Sequence, residues 1–219
     1  MSDVVIVDYG MGNLRSVEQA LIAVGGKPIR TSDPSIIASA KKLVLPGQGE
    51  LGNAIRRIDG LGLRDLLIDR VGSGIPLLGI CVGFQLLFDS GEEAPGARLL
   101  GLIPGDVPKF PDGMIDAPSG ARLKIPQMGW NYASLKKGCP LTDDIPGGAY
   151  FYFVHSFYCR PASGGAVSLT VRYGDIEYCA MAADETNGRR LYATQFHPEK
   201  SQRAGLNILK RFVELPDRA

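Results

Sequence analysis

The segment Gly79-Ile80-Cys81-Val82-Gly83-Phe84-Gln85 sets a cysteine between glycines two residues before and two residues after it. An apolar run, Pro76 to Ile80, leads into it, and a helix-like run, Val82 to Phe88, leads out. This is the pattern of a nucleophile elbow, a strained strand-to-helix turn with room only for small neighbours. The following helix would aim its free N–H groups and positive end at the sulfur, favouring thiolate. Such a thiolate attacks carbonyl carbon. Read alone, the segment equally fits a buried structural cysteine in a glycine-rich strand end.

A thiol nucleophile needs a base, and the chain has two histidines. His197 stands in Gln195-Phe196-His197-Pro198-Glu199, just beyond an apolar run. Proline ends the strand there, and extended backbone returns Glu199 to the side of His197, where its carboxylate can fix the imidazole tautomer. His155 stands in Phe151-Tyr152-Phe153-Val154-His155-Ser156-Phe157. Strand alternation groups it with Phe151, Phe153 and Phe157, which favours a packed structural histidine. An oxyanion formed on the substrate needs donors. The N–H of Val82 is one by elbow geometry. Pro46-Gly47-Gln48-Gly49, a common turn sequence, can present another.

These groups meet only if the elements carrying them do. Val4 to Asp8, Pro28 to Arg30, Leu43 to Leu45 and Pro76 to Ile80 read as strands. Leu14, Val17, Leu21 and Val24 recur at helical spacing before Gly25-Gly26; Pro34 to Ala40, Ala54 to Ile58 and Leu63 to Val71 also read as helical. That alternation predicts a doubly wound α/β fold, a mostly parallel sheet with helices on both faces. From Leu99 on, short runs are broken by Gly and Pro. Ala149 to Tyr158, Val167 to Tyr173, Ile176 to Met181 and Leu191 to Phe196 predict an antiparallel or mixed extension of the sheet. A closing helix, Gln202 to Leu215, carries Leu206, Leu209 and Val213 on one stripe. No repeat or linker divides the chain, so one domain over residues 1–219 is expected. In a doubly wound sheet Cys81 and His197 would both lie at carboxyl ends of strands, where such folds bind ligands.

Composition narrows the classes. With 24 basic and 23 acidic side chains in 219 residues, charge gives no case for nucleic acid or an anionic membrane as partner. The 28 glycines and 15 prolines point to many turns in a chain that is 45% hydrophobic. No apolar stretch approaches the ~20 residues of a membrane span. The N-terminus lacks the cationic start of a secretory signal. Cys81, Cys139, Cys159 and Cys179 form no metal-ligand spacing, which favours a reducing cytoplasm.

Together these residues resemble the class I (triad) glutamine amidotransferases, whose Gly-x-Cys-x-Gly elbow and later His-Pro-Glu hydrolyse the side-chain amide of glutamine. Further segments are similar to glutaminase subunits of imidazole glycerol phosphate synthases: Asp8-Tyr9-Gly10-Met11-Gly12-Asn13, Leu45-Pro46-Gly47-Gln48-Gly49, Gln127-Met128-Gly129-Trp130-Asn131 and Tyr152-Phe153-Val154-His155-Ser156. The resemblance implies a flavodoxin-like sheet, with Cys81 as nucleophile, His197 as general base and acid, and Glu199 as its orienting carboxylate. It implies substrate contacts at Gln85, Ser156 and Phe157, and oxyanion donors in Gly47, Gln48, Gly49 and Val82. It implies that Asn13, Trp130, Tyr152 and Lys200 face a cyclase subunit, a (β/α)₈ barrel that receives the ammonia in a heterodimer serving histidine biosynthesis. Three positions depart from many relatives: Gln48 for Val, Gln127 for His and Phe157 for Tyr. The last lacks a hydroxyl near the substrate. Other readings are a glutaminase serving pyridoxal phosphate synthesis or surface-sugar amination, or a non-catalytic scaffold docked on a synthase.

Overall fold

The computed structural model describes residues 4–116 and 118–217. The buried β-branched run Val4–Val7 forms β1, followed by α1 (Leu14–Ala23), β2 (Pro28–Thr31) and α2 (Pro34–Ala38). Then come β3 (Leu43–Gly47), α3 (Leu51–Gly60), α4 (Arg64–Gly72), β4 (Leu77–Cys81) and α5 (Val82–Gln85). Short strands β5 (Ser90–Gly91) and β6 (Gly105–Val107) precede β7 (Gln127–Leu135) and β8 (Gly148–His155). The chain closes with β9 (Arg160–Pro161), β10 (Val167–Tyr173), β11 (Ile176–Asp184), β12 (Leu191–Thr194) and α6 (Gln202–Glu214).

Nine strands make one sheet in the order β2-β1-β3-β4-β12-β11-β10-β7-β8. The first five are mutually parallel, and from β12 outward every pairing is antiparallel. Strands β5, β6 and β9 form a small second sheet. The order runs from β1 to β2 in one direction and from β3 to β4 in the other. Right-handed crossovers therefore put α1 on one face and α2, α3 and α4 on the opposite face. Packing agrees, with α1 on α6 and α2 on α4. The parallel strands are buried along their whole length in β1, β3, β4 and β12, as strands covered on both faces must be.

The expected parallel half and its antiparallel extension are both present. Three local readings change. Helix α5 ends at Gln85, and Leu86 to Phe88 continue as buried turns. Strand β7, absent from the sequence reading, is nine residues long and pairs with β8 from Gln127↔His155 to Ser134↔Gly148. The inward stripe of α6 is Gly205, Ile208, Leu209 and Phe212, whereas Leu206 and Val213 are only half-buried. A Cβ on Gly205 would overlap the Pro198 carbonyl, so the bare glycine lets the helix start close against the Pro198 turn.

Candidate active site

Cys81 ends β4 with φ 56° and ψ −110°, a left-handed conformation costly for a residue with a side chain. Its surroundings impose that turn. A Cβ on Gly83 would overlap the Leu45 carbonyl, and one on Gly47 would strike the Gly83 nitrogen. The end of β3 and the start of α5 thus approach backbone to backbone. The small neighbours required by the elbow are needed because two elements share one space.

Strand β12 lies beside β4, with Thr194 opposite Ile80. This pairing brings His197, three residues past the strand, to Cys81. Glu199 accepts from Nδ1 of His197 at 2.9 Å, and both side chains are almost fully buried. Burial opposes the imidazolium, but hydrogen bonding and charge from Cys81, together with Glu199, outweigh it and push the His197 pKa up to about 10. With Nδ1 committed to Glu199, the other ring nitrogen serves the sulfur. The backbone of the turn is also tied: His197 N–H donates to the Tyr152 carbonyl at 3.0 Å, and the Ser201 hydroxyl donates to the His197 carbonyl at 2.7 Å.

A cavity of about 240 Å³ opens onto the sulfur. Gln48, Gly49, Val82, Gln85, Ser156 and Phe157, all named from sequence, line it with Cys81 and His197. Gly47 is packed behind them, against the elbow. The Tyr9 hydroxyl donates to the Pro46 carbonyl at 2.7 Å and holds the root of this strand. Gln85 uses its amide nitrogen on the Phe157 carbonyl, at 3.2 Å. Sequence reasoning missed Glu93, Pro126 and Val154 in the lining and gave His155 only a structural part. His155 is packed as expected, with Nδ1 at 2.7 Å from the Phe157 carbonyl and Nε2 at 3.2 Å from the Tyr178 hydroxyl. Burial pushes its pKa down to about 4, so it is neutral at pH 7. Glu93 accepts from the Leu51 N–H at 2.8 Å, and burial raises its carboxyl pKa.

Trp130 and Tyr152 are register partners on β7 and β8, in edge contact with ring centroids 6.1 Å apart. Lys200 Nζ lies 6.0 Å from the centroid of the Tyr152 ring. Trp130 is 45% exposed, so it is not a core residue. Asn13 is exposed at the start of α1 and caps it by accepting from the Ser16 N–H. Among the described residues no cluster of His, Cys, Asp and Glu could hold a metal ion, and no helix is long and apolar enough to cross a membrane.

The profile of the family described as Glutamine amidotransferase class-I matches residues 5–215. A protein of Aromatoleum aromaticum named imidazole glycerol phosphate synthase subunit HisH is 44% identical over 217 residues, covering 97% of this chain and 98% of the relative. One of the same name from Geobacter metallireducens is 44% identical over 213 residues, with 97% and 98% covered. Among solved structures, one titled as a glutamine amidotransferase superposes with a TM-score of 0.73 at 20% identity, covering 97% of this chain and 98% of its own. PurLQS from Thermotoga maritima gives 0.67 at 18% identity, with 97% and 96% covered. A profile spanning nearly the whole chain, and full-length relatives at this identity, leave one assignment: the chain belongs to the class-I glutamine amidotransferases.

Proposed function

We propose that the chain is the glutaminase subunit of imidazole glycerol phosphate synthase, hydrolysing glutamine to glutamate and ammonia. Relatives bearing that name match it nearly end to end. The observation that carries the catalytic reading is the Glu199-held His197 beside a cysteine fixed in a left-handed elbow. Nucleophile, base and orienting group then occupy one buried place.

The Cys81 sulfur attacks the side-chain amide carbon of glutamine, and the carbonyl oxygen takes the charge. The N–H of Val82 and one from the Gly47–Gly49 strand serve that oxygen. His197 gives its proton to the amide nitrogen, the C–N bond breaks, and ammonia leaves a thioester on the sulfur. Water then gives a proton to His197 and adds to the thioester carbon. The C–S bond breaks, and glutamate departs. Glu93, the one carboxylate among the described lining residues, suits the ammonium end of an amino-acid substrate. Nothing in this sequence of steps calls for a cofactor.

The ammonia is the useful product, delivered to a (β/α)₈-barrel cyclase subunit in a heterodimer. The exposed Trp130 and Lys200, both beside the half-buried Tyr152, together with the exposed Asn13, are the face we propose for that subunit. A cytoplasmic setting is supported by four buried cysteines with free thiols. Cys81→Ala in the assembled synthase should abolish glutamine-dependent synthesis and leave ammonia-dependent synthesis nearly intact, because only amide cleavage uses the thiol. Equal loss of both activities rejects the assignment. Complementation of a histidine auxotroph separates this reading from surface-sugar and pyridoxal phosphate paralogues.

A further inference from the structure

Gln195 lies fully buried, one residue past β12 and two before His197, and the steps above give it nothing to do. Its orientation follows from groups that can only accept or only donate. The Phe157 carbonyl can only accept, so the Gln85 atom at 3.2 Å from it is the amide nitrogen. That nitrogen also lies 3.3 Å from the Gln195 side chain, which must therefore present its Oε1 there. The Cys159 thiol donates to the same oxygen at 3.3 Å. Burial holds the Cys159 pKa well above the ordinary thiol range, so this thiol keeps the proton it donates. With Oε1 satisfied twice, Nε2 is left facing Cys81, and its N–H is directed at the sulfur across 3.9 Å.

We propose that Gln195 is a further catalytic residue, donating a hydrogen bond to the Cys81 thiolate before attack and again when the thioester is released. Cys159 is a positioning residue that, with Gln85, keeps the amide from turning its oxygen onto the sulfur. The inference rests on the reading of Cys81 as the nucleophile. A donor to a buried anion favours the charged form, whereas a carbonyl oxygen in the same place would repel it. His197 already faces the sulfur from the β12–α6 turn, with Glu199 behind it on Nδ1, and the Tyr9 hydroxyl lies within charge reach of the same sulfur from the end of β1. Gln195 adds a donor that carries no charge and cannot take a proton from the thiol.

The test is the pH profile of Cys81 alkylation by iodoacetamide in the full-length chain, read by peptide mass. In Gln195→Met the half-maximal pH should move up by about one unit, making alkylation about tenfold slower on the rising limb of the profile. Glutamine-dependent kcat/KM of the assembled synthase should fall by a similar factor, with ammonia-dependent synthesis unchanged. Gln195→Asn keeps a polar amide but shortens its reach, and it carries the same expectation should the Met variant fold poorly. Cys159→Ala should shift the profile the same way by a smaller amount. An unmoved profile in a folded Gln195→Met or Gln195→Asn chain overturns the role of Gln195. Persistent glutamine hydrolysis by Cys81→Ala would instead overturn the reading of Cys81 itself.

Discussion

Gln48 sits where the oxyanion strand changes from fixed to free. Pro46 and Gly47 are buried, the Tyr9 hydroxyl holds the Pro46 carbonyl, and Gly47 is pressed on the elbow. Gln48 and Gly49 are exposed, and Gly49 has φ 95°. The Gly47–Gln48 peptide, flanked by glycines, is therefore the first that can rotate cheaply, and its N–H can gate the oxyanion hole. We expect low glutaminase activity in the isolated subunit and a rise when the partner and acceptor bind. Gln48→Pro deletes this N–H and should lower glutamine turnover in the complex by ~10²–10³ while sparing ammonia-dependent synthesis. Gln48→Val keeps the donor and should retain both activities. Near-normal hydrolysis by a folded, partner-bound Pro variant would place the donor elsewhere. Cys81, His197 and Glu199 were legible in sequence because each stands in a short pattern whose spacing is itself the chemistry. Glu93 and Gln195 were not. Their parts depend on a cavity and a proton count that exist only once distant segments close together.

At the scale of elements, β7 and β8 present an outer face of Met128, Trp130, Tyr132 and Tyr150, each at least 45% exposed. This explains why β7 escaped the sequence reading. Its large apolar side chains point out, its Gln127 is buried, and Gly129 at φ 129° interrupts the run. The usual rule of apolar inside and polar outside is inverted there. The parallel strands obey it and were found. On the proposed function, the exposed Trp130 anchors association rather than folding. Trp130→Ala should weaken binding of the cyclase subunit by about 2 kcal/mol in calorimetric titration, with little change in Tm of the free subunit. Lys200→Ala should act in the same direction. A large fall in Tm with unchanged affinity would refute this.

For the whole molecule, the two histidines pull stability in opposite pH ranges. His155 has its pKa lowered to about 4, so its contribution is complete above the unfolded value of 6.5 and is lost as pH falls toward 4. His197, raised to about 10, contributes fully below 6.5 and loses that contribution as pH rises through 10. The lowered carboxyls, such as Asp106 beside Arg160, lose theirs only below the ordinary carboxylate range. Glu93, raised by burial, works the other way. Urea unfolding of the isolated subunit should therefore show stability falling between pH 6.5 and 4.5, by on the order of 2–3 kcal/mol from His155. His155→Asn should flatten that slope. An equally steep slope in the variant would assign it to other groups.

Strand β12 lies between β4 and β11, near the middle of the sheet, yet it is translated after every other strand described in that sheet. A nascent chain that has reached α5 already holds the thiol and half of its elbow. It has no base, no orienting carboxylate and no seam joining the two halves of the sheet. Translation therefore withholds amide cleavage until β12 and the His197–Glu199 turn behind it have emerged. A stalled or truncated product cannot release ammonia before a partner is there to receive it.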